Sequence, residues 1–453
     1  MAHWSETSIF YHIYPLGWLG APKQNDFTAK PVARLAEIEQ WIPHFKQLHI
    51  NALYLGPVFE STAHGYDTAD YYQVDRRLGD NATLIKLVDV LHQNGMRVVL
   101  DGVFNHTGRN FSAFKDIQQN GIQSRYVDWF VDINFQQKSP FGDTFSYAGW
   151  NGNFDLIKLN LQNPEVSNYL LGAVDFWMRE FKIDGVRLDA ADCVGIPFLQ
   201  KLYAHVKQVQ PEFWLMGEII HGNYAQYVDA GALDSVTNYE CYKGLYSSHV
   251  DRNYFEIAYS LNRQFGENGI YRHFLPYSFV DNHDVNRLTS NLNNAKHVYP
   301  VYCLLFSMPG IPSIYYGSEW GIQGQRSSSD DSPLRPQITL EHLHKHVKDT
   351  DLANYIAQLS QIRLDSPALQ LGDYHHILVK HEQFAFMRAY QTEQIVTVVN
   401  ASQTSQAMQI PFYGNTANRG IDLISGTTLE IRKNALLIPD LKSNAGMIIK
   451  LVP

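Results

Sequence analysis

Short apolar runs alternate with amphipathic stretches along most of the chain, the order expected of parallel strands joined by helices. Apolar residues at helical spacing predict helices over Ala82–Asn94 and Pro164–Phe181. The apolar runs predict eight strands: Ile9–Tyr14, Ala52–Leu55, Arg97–Val103, Gly185–Asp189, Phe213–Gly217, Ser235–Thr237, Leu275–Val280 and Ser313–Tyr316. This alternation predicts an α/β fold, a (β/α)8 TIM barrel, in which active sites form at the carboxyl ends of the strands.

The alternation is interrupted in two places. Between Asn105 and Leu161 a stretch rich in Asn, Gly, Phe and Trp is too long for an ordinary connection, and it predicts an insertion after strand 3. From about Gly372 helical spacing disappears, and segments such as Phe384–Tyr390 predict a small C-terminal all-β domain. The expected domains are the barrel over 1–104 and 160–371, an inserted domain over 105–159, and a β-sandwich over 372–453.

Composition narrows the partners that this chain can have. Of 453 residues, 45% are hydrophobic and 18% charged, which is typical of folded globular domains. The net charge of −9 argues against a nucleic-acid partner, since phosphate binding needs a basic face. No apolar run reaches the roughly 18 residues of a membrane span, and the N-terminus lacks the pattern of a secretory signal. We therefore expect a cytoplasmic protein without a membrane partner.

Three acidic residues each close a strand-like run and form the candidate catalytic set. They are Asp189 in GVRLDA, Glu218 in WLMGE and Asp284 in FVDNHD. Because each follows a different predicted strand, all three are expected at the same end of the barrel. Two of them fit the pair that a retaining glycosidase needs, one carboxylate to attack the sugar and one carboxylic acid to protonate the leaving oxygen.

The neighbours of these acids suggest roles but also leave simpler alternatives open. Arg187 lies two residues before Asp189 on the same strand face, and we expect it to lower the pKa of Asp189 and keep this carboxylate ionised. The alternative is a buried ion pair between Arg187 and Asp101. Apolar residues before Glu218 favour a protonated carboxyl group, although a solvent-exposed strand end is also compatible. Asp284 could hold two sugar hydroxyls, or merely start an Asx turn.

A metal site is a further alternative for one of these segments. Glu218 and His221 have the E-x-x-H spacing of carboxylate metal sites, which requires a helix and a second copy on a facing helix. The segment 341–344 could supply that copy only if it lay nearby. The more economical interpretation of His342, His344 and His346 is a solvated helix face.

At these positions the chain resembles the α-amylase superfamily of retaining glycoside hydrolases, over nearly its whole length. The segments DGVFNH (101–106), GVRLD (185–189), Glu218 and FVDNHD (279–284) are similar to the four signatures of that family, in order. The resemblance implies Asp189 as nucleophile, Glu218 as acid/base and Asp284 as transition-state stabiliser. It also implies six substrate-binding residues: Tyr66 as the stacking platform beneath the sugar, Arg187, His106 and His283 as its hydrogen-bond partners, and Asp331 and Arg335 along its other edge.

Within the superfamily the insertion looks most like the neopullulanase, cyclomaltodextrinase and maltogenic amylase group. The similar segments are YVDWF (126–130) and LIKLN (156–160), where that group has MPKLN. Ile157 in place of the proline departs from the group. The chain also begins directly at the barrel, whereas the group carries an N-terminal domain that covers the active site of a dimer partner. Both a monomer and a homodimer therefore stay open.

The resemblance implies hydrolysis of α-1,4 bonds in maltooligosaccharides, cyclodextrins or soluble dextrins through a covalent glucosyl-enzyme. The alternatives are a glucanotransferase or an α-1,6 or sucrose-type glucosidase on the same scaffold, and a non-catalytic carbohydrate-binding protein. No cofactor is required for this chemistry. A structural calcium is possible, with Asn105 as one ligand and Asp192 as another oxygen donor, although the AADC sequence at 190–193 replaces the family's AAKH.

Overall fold

Eight parallel strands form the centre of the molecule, which is described by a computed structural model for residues 2–327, 330–341, 351–411 and 417–453. The barrel strands, in chain order, are β1 (Phe10–Ile13), β2 (Ala52–Leu55), β3 (Arg97–Gly102), β4 (Gly185–Leu188), β5 (Trp214–Gly217), β6 (Ser235–Val236), β7 (Tyr277–Ser278) and β8 (Ile311–Tyr315). Each strand lies beside its neighbour in chain order, and β1 pairs with both β2 and β8. A parallel bridge between Thr237 and Tyr277 joins β6 to β7 and closes the ring. The predicted (β/α)8 barrel is confirmed.

Several observed strands are shorter than the predicted ones. The seventh was predicted over Leu275–Val280, but only Tyr277–Ser278 pairs in the sheet. Phe279 and Val280 are nevertheless fully buried. A hydrophobic pattern indicates which residues are buried, not which ones pair in a sheet. The predicted strand therefore included part of the loop that carries the site residues.

Helices surround the barrel and cover its outer face. The two predicted helices are confirmed as Asn81–Gln93 and Pro164–Phe176, the second continuing in a π-helical turn over Trp177–Phe181. The other α-helices are Pro15–Trp18, Ile42–Gln47, Ser112–Asn120, Ala191–Val194, Ile196–Val209, Ala225–Val228, Tyr239–Val250, Phe255–Phe265, Leu288–Asn291, Val298–Ser307, Asp351–Leu364 and Pro367–Leu371. Short 3₁₀ turns lie at Trp4–Thr7, Arg34–Trp41, Gly121–Gln123, Val127–Trp129, Ala295–His297, Ser318–Trp320 and Ser332–Leu334. In the described ranges no helix is both long and apolar enough to span a bilayer.

Two loops at the carboxyl end of the barrel carry small sheets of their own. After β2, strands Phe59–Ser61 and Thr68–Val74 pair with each other. After β3, strands His106–Gly108, Gly149–Trp150 and Asn153–Lys158 form a three-stranded antiparallel sheet. This second sheet lies within residues 105–159, which we retain as the proposed extent of the inserted domain.

The C-terminal part of the chain forms a separate antiparallel domain, as predicted. Its strands are β9 (Asp373–Val379), β10 (Gln383–Tyr390), β11 (Glu393–Asn400), β12 (Gln406–Pro411), β13 (Arg419–Asp422), β14 (Thr428–Arg432), β15 (Ala435–Leu441) and β16 (Ala445–Val452). They are ordered β9-β10-β11-β16-β13-β14-β15-β12 and enclose a core that includes Val396, Ile410 and Leu436. We retain 372–453 as the proposed extent of this domain.

A buried arginine joins this domain to the barrel. Arg388 on β10 is fully buried and donates to the carbonyl oxygens of Ser307, Leu369 and Gly372 at distances from 2.8 to 3.1 Å. Ser307 ends a barrel helix, so its last carbonyl is one that the helix itself cannot satisfy. The side chain therefore satisfies buried acceptors on both sides of the domain boundary.

The substitution Arg388→Met tests this connection. It fills a similar volume but leaves three buried carbonyls without a donor, so we expect the free energy of unfolding to fall by about 3 kcal/mol. Urea unfolding followed by circular dichroism measures the change. The control is Arg432→Met, since Arg432 is exposed and pairs with Glu430 on the same strand; equal stability of the two variants would contradict the assignment.

Candidate active site

The three predicted acids converge at the carboxyl end of the barrel. Asp189 directly follows β4, Glu218 directly follows β5, and Asp284 lies in the loop after β7. Asp189 and Glu218 are buried, and both contact the guanidinium group of Arg187. The fold therefore brings acids from separate strands together, as predicted.

Arg187 is the centre of this cluster. Its Nη1 donates to Oδ1 of Asp189 and to Oδ1 of Asp101, both at 2.9 Å, and its Nη2 lies 2.9 Å from Oε1 of Glu218. Arg187 therefore contacts Asp189, as expected, and also forms the alternative buried ion pair with Asp101. Burial opposes its charge, but Asp101 and Glu218 outweigh burial and raise the pKa of Arg187 above its usual range.

The expected low pKa of Asp189 is wrong. Burial raises the pKa of this carboxyl group well above its ordinary value, and the nearby carboxylates of Glu218, Asp101 and Asp284 raise it further. Arg187 acts in the predicted direction and lowers the pKa, but one cation cannot offset burial and three acids. In the sequence Arg187 lies two residues from Asp189, but the sequence does not reveal which carboxylates surround Asp189 in space.

The environment of Glu218 also differs from the expected one. The apolar residues before it lie in β5, whereas its carboxyl group contacts three donors. Besides Arg187, the Tyr239 hydroxyl donates to Oε1 at 3.2 Å and the Ala190 N–H donates to Oε2 at 3.1 Å. Ala190 has φ 43° and ψ 46°, a left-handed conformation that costs a residue with a Cβ on the order of 1 kcal/mol. Ala190 directly follows Asp189 in the chain, and its strained conformation directs its N–H toward Glu218.

Asp284 lies beside an imidazole ring and a guanidinium group. His283 Nε2 is 3.0 Å from its Oδ2, and Arg335 Nη2 donates to its Oδ1 at 2.9 Å. Burial opposes ionisation, but His283 and Arg335 outweigh it and hold the pKa of Asp284 well below its usual range. The Asx turn is also present, since Oδ1 of Asn282 accepts from the N–H groups of Asp284 at 2.8 Å and Val285 at 3.2 Å. The alternative interpretation, an Asx turn, is therefore confirmed, and the sugar-binding role of Asp284 stays a prediction.

The predicted sugar-binding residues Tyr66, His283 and His106 surround the acids. The Tyr66 ring is nearly parallel to that of His283, with centroids 5.5 Å apart, and its hydroxyl donates to Asp101 Oδ2 at 3.0 Å and hydrogen-bonds His283 Nε2. His106 Nε2 lies 3.9 Å from Asp189 Oδ2 and is buried without a hydrogen-bond partner among the described residues. Burial lowers the pKa of His106 to about 3, so the ring is neutral and offers this nitrogen to a ligand.

The remaining predicted pair lies toward the rim. Arg335 reaches Asp284 directly and lies 3.5 Å from Oδ2 of Asp331. Asp331 also pairs with the exposed Arg326 at 3.0 Å. Arg335 is held by the ring of Tyr14, 4.6 Å from its guanidinium carbon.

Four residues of the site were missed from the sequence: Tyr14, Trp150, Tyr239 and Asn282. The Tyr14 ring stacks on His283 with centroids 5.9 Å apart, and Trp150 from the insertion stacks on His106 at 5.4 Å. Tyr14 is the last residue of predicted strand 1, and Tyr239 lies two residues after predicted strand 6; both positions are at the barrel mouth, which could have identified them. Trp150 lies in a stretch without periodicity, so nothing in the pattern singled it out.

Two metal sites were considered from the sequence, an E-x-x-H site and a structural calcium site. Glu218 and His221 lie in a loop rather than on a helix, so the E-x-x-H interpretation is wrong, and His342, His344 and His346 lie outside the described residues. In the described part of the chain no group of three or more His, Cys, Asp or Glu could hold a metal. Oδ1 of Asn105 is buried without a partner there and could serve as one calcium ligand, so a structural calcium stays a prediction.

Comparison with known proteins agrees with this geometry. Residues 24–360 match the family described as "Alpha amylase, catalytic domain". A cyclomaltodextrinase from a Bacillus species is 30% identical over 429 residues, which cover 90% of this chain and 75% of that one. A solved cyclomaltodextrinase has a TM-score of 0.87 at 27% identity, covering 99% of this chain and 78% of that one. The debranching enzyme of Nostoc punctiforme has a TM-score of 0.83 at 27% identity, covering 98% of each chain. The predicted family and subgroup are confirmed.

Removing the central cation tests the electrostatics of the cluster. In Arg187→Met three buried carboxyl groups lose their cation, and we expect a loss of at least about 3 kcal/mol in unfolding free energy at pH 7. Without the cation the pKa of Asp189 rises further in the folded state, so stability present at low pH is lost as pH rises. The deficit relative to wild type should therefore shrink by 1 kcal/mol or more, about one pKa unit, between pH 7 and pH 5.

Urea titrations at the two pH values measure this deficit. The control is Arg326→Met, which removes an arginine that is 57% exposed and pairs with Asp331. A deficit for Arg187→Met that is the same at both pH values would show that the carboxyl groups do not depend on Arg187 for their charge.

Proposed function

Because the chain belongs to the α-amylase family of glycoside hydrolases, we propose that it cleaves α-1,4-glucosidic bonds of maltooligosaccharides, cyclodextrins or soluble dextrins with retention of configuration. The observation that carries this proposal is the shared contact of Asp189 and Glu218 with one guanidinium group. Retaining glycosidases need two carboxyl groups only about 5 Å apart, and a single arginine bonded to both keeps them close together.

In the first step Asp189 attacks the anomeric carbon while Glu218 donates its proton to the departing glycosidic oxygen. The C–O bond to the leaving sugar breaks, and an ester forms between the glucosyl unit and Asp189. In the second step Glu218 takes a proton from water, whose oxygen attacks the anomeric carbon and releases Asp189. Asp284, held ionised by His283 and Arg335, binds ring hydroxyls and stabilises the positive charge that develops on the sugar.

The substrate class follows from relatives and from the chemistry of the cleft. Relatives named cyclomaltodextrinase support soluble cyclic and linear dextrins. The aromatic rings of Tyr66 and Trp150 lie against His283 and His106, respectively, and such rings can stack on sugar faces. A cytoplasmic location, independence of cofactors and a monomeric or homodimeric state remain predictions.

A second candidate, hydrolysis of α-1,6 bonds, is favoured by one observation. A structural neighbour of similar length is named a debranching enzyme, and this chain covers 98% of it. The acids can serve either linkage, because the way the leaving sugar is bound, rather than the catalytic pair, decides which glycosidic bond reaches the nucleophile. Glucanotransfer and sucrose-type bonds also remain open on the same scaffold.

The substitution Glu218→Gln tests the acid/base assignment. We expect kcat on maltoheptaose to fall by at least about 10³-fold, because the amide can neither donate a proton to the leaving oxygen nor activate water. The control is Glu240→Gln, since the Glu240 carboxylate pairs with Arg263 on the helix Phe255–Phe265. Wild-type turnover by Glu218→Gln, measured by release of reducing sugar, would refute the assignment.

Product analysis tests the linkage and the stereochemistry. Maltoheptaose, γ-cyclodextrin and pullulan are each digested, and the first products are examined by proton NMR. We expect α-anomers from maltoheptaose and γ-cyclodextrin because double displacement retains configuration. Initial β-anomers would rule out a retaining mechanism, rapid release of maltotriose from pullulan would favour α-1,6 cleavage, and products longer than the substrate would favour transfer.

A further inference from the structure

Tyr239 and Asn282 connect the carboxyl group of Glu218 to the loop that carries Asp284. Tyr239 begins the helix Tyr239–Val250, and its hydroxyl lies 3.2 Å from Glu218 Oε1. Nδ2 of Asn282 lies 3.1 Å from the same hydroxyl. A chain of two hydrogen bonds therefore links Glu218 to the loop that carries Asp284 without passing through Arg187.

The direction of each hydrogen bond follows from the donors and acceptors. Two backbone N–H groups, those of Asp284 and Val285, can only donate, so the end of the Asn282 amide that faces them must be its oxygen. The opposite end is then the NH2 group, which donates to the Tyr239 oxygen. The single proton of Tyr239 is left for Glu218. The orientation of this hydroxyl is thus fixed by a neutral side chain.

The Tyr239 ring is also held in place. It packs edge-on against Phe279, with centroids 5.1 Å apart, and against Tyr242 at 6.1 Å. Burial raises the pKa of Tyr239 well above its ordinary value, and the charges of Glu218 and Asp284 raise it further. The hydroxyl therefore stays protonated and acts only as a donor to the carboxylate.

We propose, on the basis of the function proposed above, that Tyr239 and Asn282 are positioning residues for the acid/base Glu218. The hydroxyl of Tyr239 holds the ionised carboxylate in place for the second step, in which Glu218 must accept a proton from water. Asn282 acts through Tyr239 by keeping that hydroxyl directed at Glu218. Neither residue exchanges a proton with the substrate in this assignment.

The substitution Tyr239→Phe separates the two steps of the reaction. With α-maltosyl fluoride the leaving group departs without a proton, so kcat/KM reports a first step that does not need the acid, and we expect it to stay within about twofold of wild type. The value of kcat depends on Glu218 as a base in the second step, and we expect it to fall about tenfold, since a hydrogen bond to a charged group has been lost.

The pH profile gives an independent readout. Loss of a donor to the carboxylate favours the protonated form of the acid, so the alkaline limb of kcat/KM for maltoheptaose should move to higher pH by about 0.5 to 1 unit. Asn282→Ala should move the same limb in the same direction. Because Asn282 acts through Tyr239, the limb of the double variant should coincide with that of Tyr239→Phe.

The control is Tyr246→Phe, two turns further along the same helix, where the ring packs against Tyr242. Its kinetics and pH limb should match wild type, and the melting temperature of each variant reports on folding. Unchanged kcat and pH limb for Tyr239→Phe would overturn this inference while leaving the proposed function intact. Absence of α-glucan turnover by the wild-type protein would instead refute the proposed function itself.

Discussion

The rest of the site depends on one buried guanidinium group. Arg187 is shared by Asp101, Asp189 and Glu218, which come from three consecutive barrel strands or their ends. A charge in such a place is tolerated only when partners compensate it, and removing either side leaves an uncompensated buried ion. The register that pairs Asp101 with Arg187 across β3 and β4 therefore does more than align two strands. It places the acid of the next strand within reach of the same cation.

The loops add what the strands cannot supply. The left-handed turn at Ala190 reverses the chain directly after the strand, and the N–H that it exposes contacts Glu218. From the opposite side, the Asx turn at Asn282 shapes the loop of Asp284 and leaves its amide group for Tyr239. Both turns fix the backbone so that a carboxyl group is oriented. The left-handed Ala190 is strained, and such strain in enzymes usually occurs at active sites.

The sequence predicted the parts of this arrangement in which apolar residues recur at regular spacing. Apolar runs located all eight barrel strands, and the acids at their ends followed from that placement. Trp150 was missed because its loop has no repeating pattern. The pKa direction of Asp189 was wrong because a pKa sums over spatial neighbours, of which the sequence displayed only Arg187. Glu218 follows an apolar strand, yet its carboxyl group meets donors from residues 187, 190 and 239, and none of these contacts has a sequence signature.

The balance of charge explains how such a site can serve glycosidic chemistry. Asp284 lies beside Arg335 and His283, which hold its pKa low, whereas Asp189 and Glu218 share one cation that also serves Asp101. A buried carboxyl group that shares its cation with other acids retains a proton more readily than one with two basic neighbours. Burial and the neighbouring acids accordingly raise the pKa of Asp189. In the mechanism proposed above, the sugar becomes positive in the transition state, and the excess of carboxylates that burial makes costly then stabilises that charge.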